Sequence, residues 1–187
     1  MEIARSIQLT TSACLYISIE LVSQCWSPIF LAMYMQPPRS KPQSQWIYDV
    51  FINFRGADTR GNFVSHLYAA LTNAGINTFL DDENLEKGKV LGPELMRAIE
   101  GSQIAIVVFS ENYVRSGWCL DELVLIMQCH AYNGQVVMPV FNGTTPSKIR
   151  QYTFEKPVLY IDELDQRINT ALHDASNLAG WDMSNYR

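Results

Sequence analysis

The apolar and polar positions change period several times between Trp46 and Gly180, and each change predicts an element. "YDVFINF" (48–54) is a short apolar run of strand composition. It gives way to a helical pattern with apolar side chains at Phe63, Leu67, Ala70, Leu71 and Ala74, closed by Gly75. "INTFL" (76–80) predicts a second strand, followed by the polar loop "DDENLEKGKVLG" (81–92). "PELMRAIEGS" (93–102) predicts a short helix with Pro93 in its first turn and Gly101 at its stop. "QIAIVVFS" (103–110) is an almost unbroken apolar run, as a central parallel strand covered on both faces requires. "CLDELVLIMQCHAYNG" (119–134) predicts a helix, "QVVMPVF" (135–141) a fourth strand, and "KPVLYI" (156–161) a fifth with Pro157 at its start. A last helix spaces Leu164, Ile168, Leu172, Ala175 and Leu178 along one side and stops at Gly180.

Strands alternating with helices define an α/β domain, a parallel sheet with helices on both faces. Ligands of such sheets sit beyond the carboxyl ends of the strands. The unusual residues gather there: Arg55 to Arg60 after the first strand, Asp81 to Gly88 after the second, Ser110 to Trp118 after the third.

Residues 1–45 follow no such pattern and are set apart as a leader and linker, with one domain over residues 46–187. The apolar part, residues 13–35, holds Glu20, Gln24 and Pro28 near its middle, and "QPPRSKPQSQ" reads as a linker. A membrane helix needs about 20 mostly apolar residues, and a central charge costs about 2.5–3.5 kcal/mol. "MEIAR" pairs Glu2 with Arg5 and so lacks the positive start of a signal peptide. A poorly ordered or loosely docked leader in a cytoplasmic protein is expected, with membrane association through residues 13–35 as the other reading.

Composition narrows the chemistry. The chain is 48% hydrophobic and 18% charged, which is globular. A net charge of −5 with no run of lysines or arginines excludes a general or sequence-specific nucleic-acid binder, while leaving room for a local anion site. Cys14, Cys25, Cys119 and Cys129 form no CxxC pair, so no metal centre is indicated. Cys119 and Cys129 share one predicted helix, about 15 Å apart, too far for a disulfide.

Two places carry candidate chemistry. In "FRGADTRG", Gly56 lets backbone approach a ligand, Asp58 or Thr59 is placed to cap the helix, and Arg55 and Arg60 supply planar donors suited to phosphate. Ordinary capping and ion pairing explain the same residues. Neither GxGxxG nor a P-loop occurs, since "EKGKVLG" lacks the earlier glycine and the hydroxyl residue after Lys89. In "SGWCLDEL", Glu122 is expected in the first turn or so of a helix, where the dipole favours an ionised carboxylate. A fixed negative charge beside Trp118 suits an oxocarbenium-like sugar cation, with the ring stacking on a base. Helix-start electrostatics, shared with Asp121, is the plainer explanation.

The segments "YDVFINFRGADTRGNFVSHLYAAL", "TFLDDENLEKGKVLGPELMRAIEGSQIAIVVFSENYVRSGWCLDEL" and "VVMPVF" together resemble, in order and spacing, the TIR domain of plant immune receptors. The likeness covers about residues 46 to 150 and returns at "NLAGW". It implies a flavodoxin-like fold with five parallel strands and helices on both faces. It also implies cleavage of NAD to nicotinamide and ADP-ribose products, some of them cyclic, in plant innate immune defence. NAD is then the substrate and no cofactor is required. Carried over by position, Glu122 is the catalytic glutamate, Arg55, Gly56, Ala57, Asp58, Thr59, Arg60 and Gly88 are the NAD contacts, and Trp118 is the motif's aromatic. Ser65 and His66 match a surface through which copies of the domain self-associate, the implied partners being other TIR domains. Two stretches depart from the family: "PVFNGTTPSKIR" replaces its usual sequence after the fourth strand, and only 30 steps separate Arg150 from Gly180. The fourth-helix region is therefore expected to be shortened, which weakens a second assembly surface. The chain is expected to be a TIR-only or truncated form, and a non-catalytic adaptor acting through TIR–TIR binding is the alternative function.

Overall fold

The structure, a computed structural model, describes residues 46–80, 92–152 and 163–186. Five strands form one parallel sheet: β1 (Tyr48–Phe54), β2 (Thr78–Leu80), β3 (Ser102–Phe109), β4 (Val136–Phe141) and β5 (Trp181–Asp182). Their order is β2-β1-β3-β4-β5, which is flavodoxin-like doubly wound topology with its switch point between β1 and β3. Register is set by the central pair, where Val50 lies opposite Ile104 and Phe54 opposite Val108. The segment 156–161, expected as a strand, lies outside the described residues.

The helices are α1 (Gly56–Thr59), α2 (Ser65–Asn73), α3 (Pro93–Glu100), α4 (Gly117–Asn133), α5 (Pro146–Arg150) and α6 (Glu163–Asn177). The single helix expected after β1 is instead α1 and α2 joined through a widened π turn, Arg60–Val64, which buries Phe63 and Val64 together. Pro93 opens α3 and Gly101 ends it, as expected. The short helix α5 was not foreseen; Thr145 caps it by accepting from the Lys148 N–H, with Pro146 at its first position.

Side-chain alternation along β1 divides the core. Val50, Ile52 and Phe54 pack with Phe63, Val64, Leu67 and Leu71 on one face. Phe51 joins the larger cluster on the other face, where α3, α4 and α6 supply Ile99, Leu123 and Leu172. On α6 the expected stripe is partly wrong: Leu164 is exposed, while Asp165, Ile168, Ala171, Leu172 and Ala175 are buried. Pro139 is tolerated inside β4 because β5 begins only at the level of Val140, so no strand donor is needed beside it.

Candidate functional site

The carboxyl ends of β1 and β3 flank the switch point, and a polar cluster sits directly beneath it. β1 alternates so that Asn53, fully buried, faces the α4 side of the sheet. There its amide Nδ2 donates to Glu122 Oε2 at 2.8 Å and lies 3.4 Å from the Cys119 carbonyl. The Tyr113 hydroxyl donates to Asn53 Oδ1 and is 3.1 Å from the same Cys119 carbonyl. The Cys119 thiol in turn donates to the Phe54 carbonyl at 3.4 Å, fastening the start of α4 to the end of β1. Burial first, and then the neighbouring Cys119 and Glu122 side chains, pushes the Tyr113 hydroxyl well above its usual range, so it stays a donor.

Glu122 is 4% exposed, at the edge of the larger apolar cluster. A buried carboxylate needs donors, and Asn53 supplies one. The expected origin of its stabilisation is corrected here. α4 begins at Gly117, with Ser116 Oγ accepting from the Cys119 N–H, so Glu122 is the sixth helical residue and no acid lies in the first turn. The dipole's effect fades within that turn, and the donor from β1 takes its place. Trp118 is half-buried at the edge of the same core, one turn before Glu122.

The bend after β1 is built differently from the expectation too. Neither Asp58 nor Thr59 caps the helix; Arg55 holds the cap position without a side-chain capping bond, and Gly56 starts α1 directly. Asp58 looks back and across instead. One carboxylate oxygen pairs with Arg55 Nη1, and the other accepts from Ser110 Oγ at 2.6 Å and from the Asn112 N–H at 3.1 Å. Burial alone would raise the Asp58 carboxyl, but these three partners outweigh it and hold it below its usual value of 3.8. Thr59 Oγ1 donates to the Arg55 carbonyl at 3.3 Å. The Arg60 guanidinium lies over the Phe54 ring, 4.9 Å from its centroid. Gly56 and Thr59 are buried and Ala57 is exposed.

The structure thus brings together Arg55 to Arg60, Trp118 and Glu122 at one end of the sheet. Gly88 lies outside the described residues. Ser65 and His66 sit apart on α2, across the sheet from Glu122, with Ser65 Oγ bonded to the Arg60 carbonyl and His66 Nδ1 to the Asn62 carbonyl. Asn53, Tyr113 and Ser110 were not singled out as site residues from sequence. Asn53 carried a signal nonetheless, being a polar residue inside an apolar strand, which requires a buried partner.

Among the described residues, no group of three or more His, Cys, Asp or Glu side chains is placed to hold a metal ion. Cys119 and Cys129 are buried free thiols. No helix among the described residues is long and apolar enough to cross a membrane.

A parallel sheet of this order, with a buried acid and an arginine-flanked bend at its switch point, defines an α/β domain of the flavodoxin-like class. The chain belongs to the TIR domain family, which matches residues 47–186. It is 49% identical over 150 residues to the TMV resistance protein N of Nicotiana glutinosa, covering 75% of this chain and 13% of that protein. It is likewise 49% identical over 143 residues to the disease resistance protein RUN1 of Vitis rotundifolia, covering 72% of this chain and 11% of that protein. The chain therefore spans a small fraction of the length of the relatives it matches. Among solved structures, the TIR domains of the activated Roq1 resistosome superpose with a TM-score of 0.67 at 43% identity, covering 74% of this chain and 89% of that one.

Proposed function

We propose that this chain is an NAD glycohydrolase that signals in plant innate immune defence and becomes active on self-association. The observation that carries the reading is the placement of Glu122, a buried carboxylate tied through Asn53 to the strand whose end turns into the arginine-flanked bend. In the reaction, the C1′–N1 bond of the nicotinamide riboside breaks and its electron pair neutralises the pyridinium nitrogen. The leaving group needs no acid, so one carboxylate facing the developing oxocarbenium ion serves where ordinary glycosidases use two. Water then forms the new C1′–O bond and releases its proton to solvent, giving ADP-ribose, or a nucleophile within the substrate forms the bond to C1′, giving a cyclic product. No electrons are transferred, and no cofactor enters. Arg55 and Arg60 are the groups for the diphosphate, with Gly56 and Ala57 offering backbone, and Trp118 is the flat surface for the base.

A second reading, a non-catalytic adaptor binding other TIR domains, is favoured by one specific feature. Asp58 already occupies Arg55 and spans the crevice to Ser110 and Asn112, and Glu122 is only 4% exposed. Nicotinamide release from NAD by concentrated protein separates the two. Turnover that falls at least about 100-fold in Glu122→Ala supports the enzyme. Turnover that survives the substitution rejects this site, and none at any concentration leaves the adaptor.

A further inference from the structure

We infer that Asn53 is a positioning residue for Glu122, holding the carboxylate in its working orientation, and that Tyr113 fixes the Asn53 amide so that its donor faces the acid. The inference rests on the glycohydrolase reading and deepens it. Asn53 lies on β1 and Glu122 on α4, yet the 2.8 Å bond between them is fully interior. An amide can present either end, and the surroundings decide which. Asn53 has two acceptors near Nδ2, the Glu122 carboxylate and the Cys119 carbonyl, and a hydroxyl donor at Oδ1. Turning the amide over would set oxygen against both acceptors and leave the Tyr113 proton facing an N–H. The orientation is therefore locked, with Tyr113 gripping the far end from a fully buried ring. A neutral donor fixes the carboxylate without adding a charge that would cancel it. An Arg or Lys at position 53 would neutralise the charge the transition state needs.

The titratable groups meeting this amide are the Glu122 carboxyl and the Tyr113 hydroxyl, with the Cys119 thiol beside them. On α6, which packs against α4, Asp165 is the other buried carboxyl of the described residues. β3 and α3 contribute apolar side chains to this core.

The test compares NAD turnover in wild type, Glu122→Ala, Asn53→Asp and Tyr113→Phe, with thermal melts for folding. Asn53→Asp keeps shape but replaces the donor by a carboxylate facing Glu122. It is expected to lower kcat at least about 10-fold near neutral pH while KM stays within about 3-fold. Two such carboxylates share a proton at raised pKa, so acidification restores a donor between them. The ratio of variant to wild-type kcat should therefore rise as pH falls from about 8 to about 6. A flat ratio, or a kcat equal to wild type, overturns the inference while leaving the Glu122 reading intact. Should Asn53→Asp not fold, Tyr113→Phe decides: a kcat several-fold lower at unchanged KM supports the inference, and unchanged kcat overturns it. Absence of wild-type turnover, or turnover surviving Glu122→Ala, overturns both readings together.

Discussion

Asp58 joins the ends of two strands through a charge, so its contribution must depend on pH. Its partners, Ser110, Asn112 and Arg55, more than offset burial and hold its folded pKa below 3.8. In the unfolded chain the carboxyl titrates at its ordinary value, 3.8. Between the two values the unfolded state binds more protons, so stability rises with pH across that window. The stabilisation is complete above the unfolded pKa and is lost as pH falls through the folded one. Asp58→Asn should accordingly lower stability near pH 7 by about 1–2 kcal/mol, read as a lower melting midpoint. The difference from wild type should shrink below about pH 4 and close at lower pH still. A difference constant down to strong acid would mean that the carboxylate's charge contributes nothing to the bend.

At the scale of elements, local pattern and tertiary contact contributed different things. The first four strands and the main helices were legible because their apolar periodicity is local, and because Pro93, Gly75 and Gly134 mark ends by backbone chemistry alone, the latter two with φ of 80° and 75°. β5 was not, since two residues, Trp181 and Asp182, carry no period and pair only through β4. The π turn at Arg60–Val64 was not legible, since it depends on how Phe63 and Val64 meet the sheet. Nor was the face of α6: Leu164 follows the helical spacing but lies exposed at the helix start. The candidate site divides in the same way. Position in the strand-end loops located the bend, whereas Glu122, inside α4, was singled out from its helix-start neighbours only by the family resemblance. The Asn53–Glu122 bond joins residues 69 apart in sequence, and no short-range signal encodes it. Gly180 belongs to this tertiary class. A Cβ there would lie 2.5 Å from the Pro139 carbonyl oxygen, so β5 approaches β4 only through a glycine. Gly180→Ala should cost about 1–3 kcal/mol in denaturant unfolding by displacing β5. Gly61, in the π turn, has nothing within 4 Å of its missing Cβ. Gly61→Ala should therefore be neutral or stabilise by up to about 1 kcal/mol, chiefly through the unfolded chain. Equal losses at the two glycines would show that backbone entropy, not the β4–β5 approach, governs Gly180.

At the scale of the whole molecule, the proposed chemistry and the proposed assembly surface lie on opposite faces of one sheet. α2, carrying Ser65 and His66, packs on the Val50–Ile52–Phe54 face, and Glu122 lies behind the other. The surface and the bend are nevertheless joined directly, because Ser65 Oγ donates a hydrogen bond to the carbonyl of Arg60, the last residue of the bend. A second copy seated on Ser65 would therefore bear on the segment that holds Arg55 and Arg60. Self-association would then favour whichever bend conformation the dimer contacts, and the effect scales with its differential affinity for the two conformations. Turnover per molecule should rise with protein concentration instead of staying constant, since assembly follows mass action. His66→Glu, at a half-buried position on the outer side of α2, should leave the melting midpoint within the range of about ±0.5 kcal/mol usual for surface changes. It should also hold turnover per molecule at the dilute wild-type value across the series, with sedimentation reporting monomer throughout. A variant that stays monomeric yet matches the wild type at every concentration would place activation within the single domain, and would free α2 from any part in it.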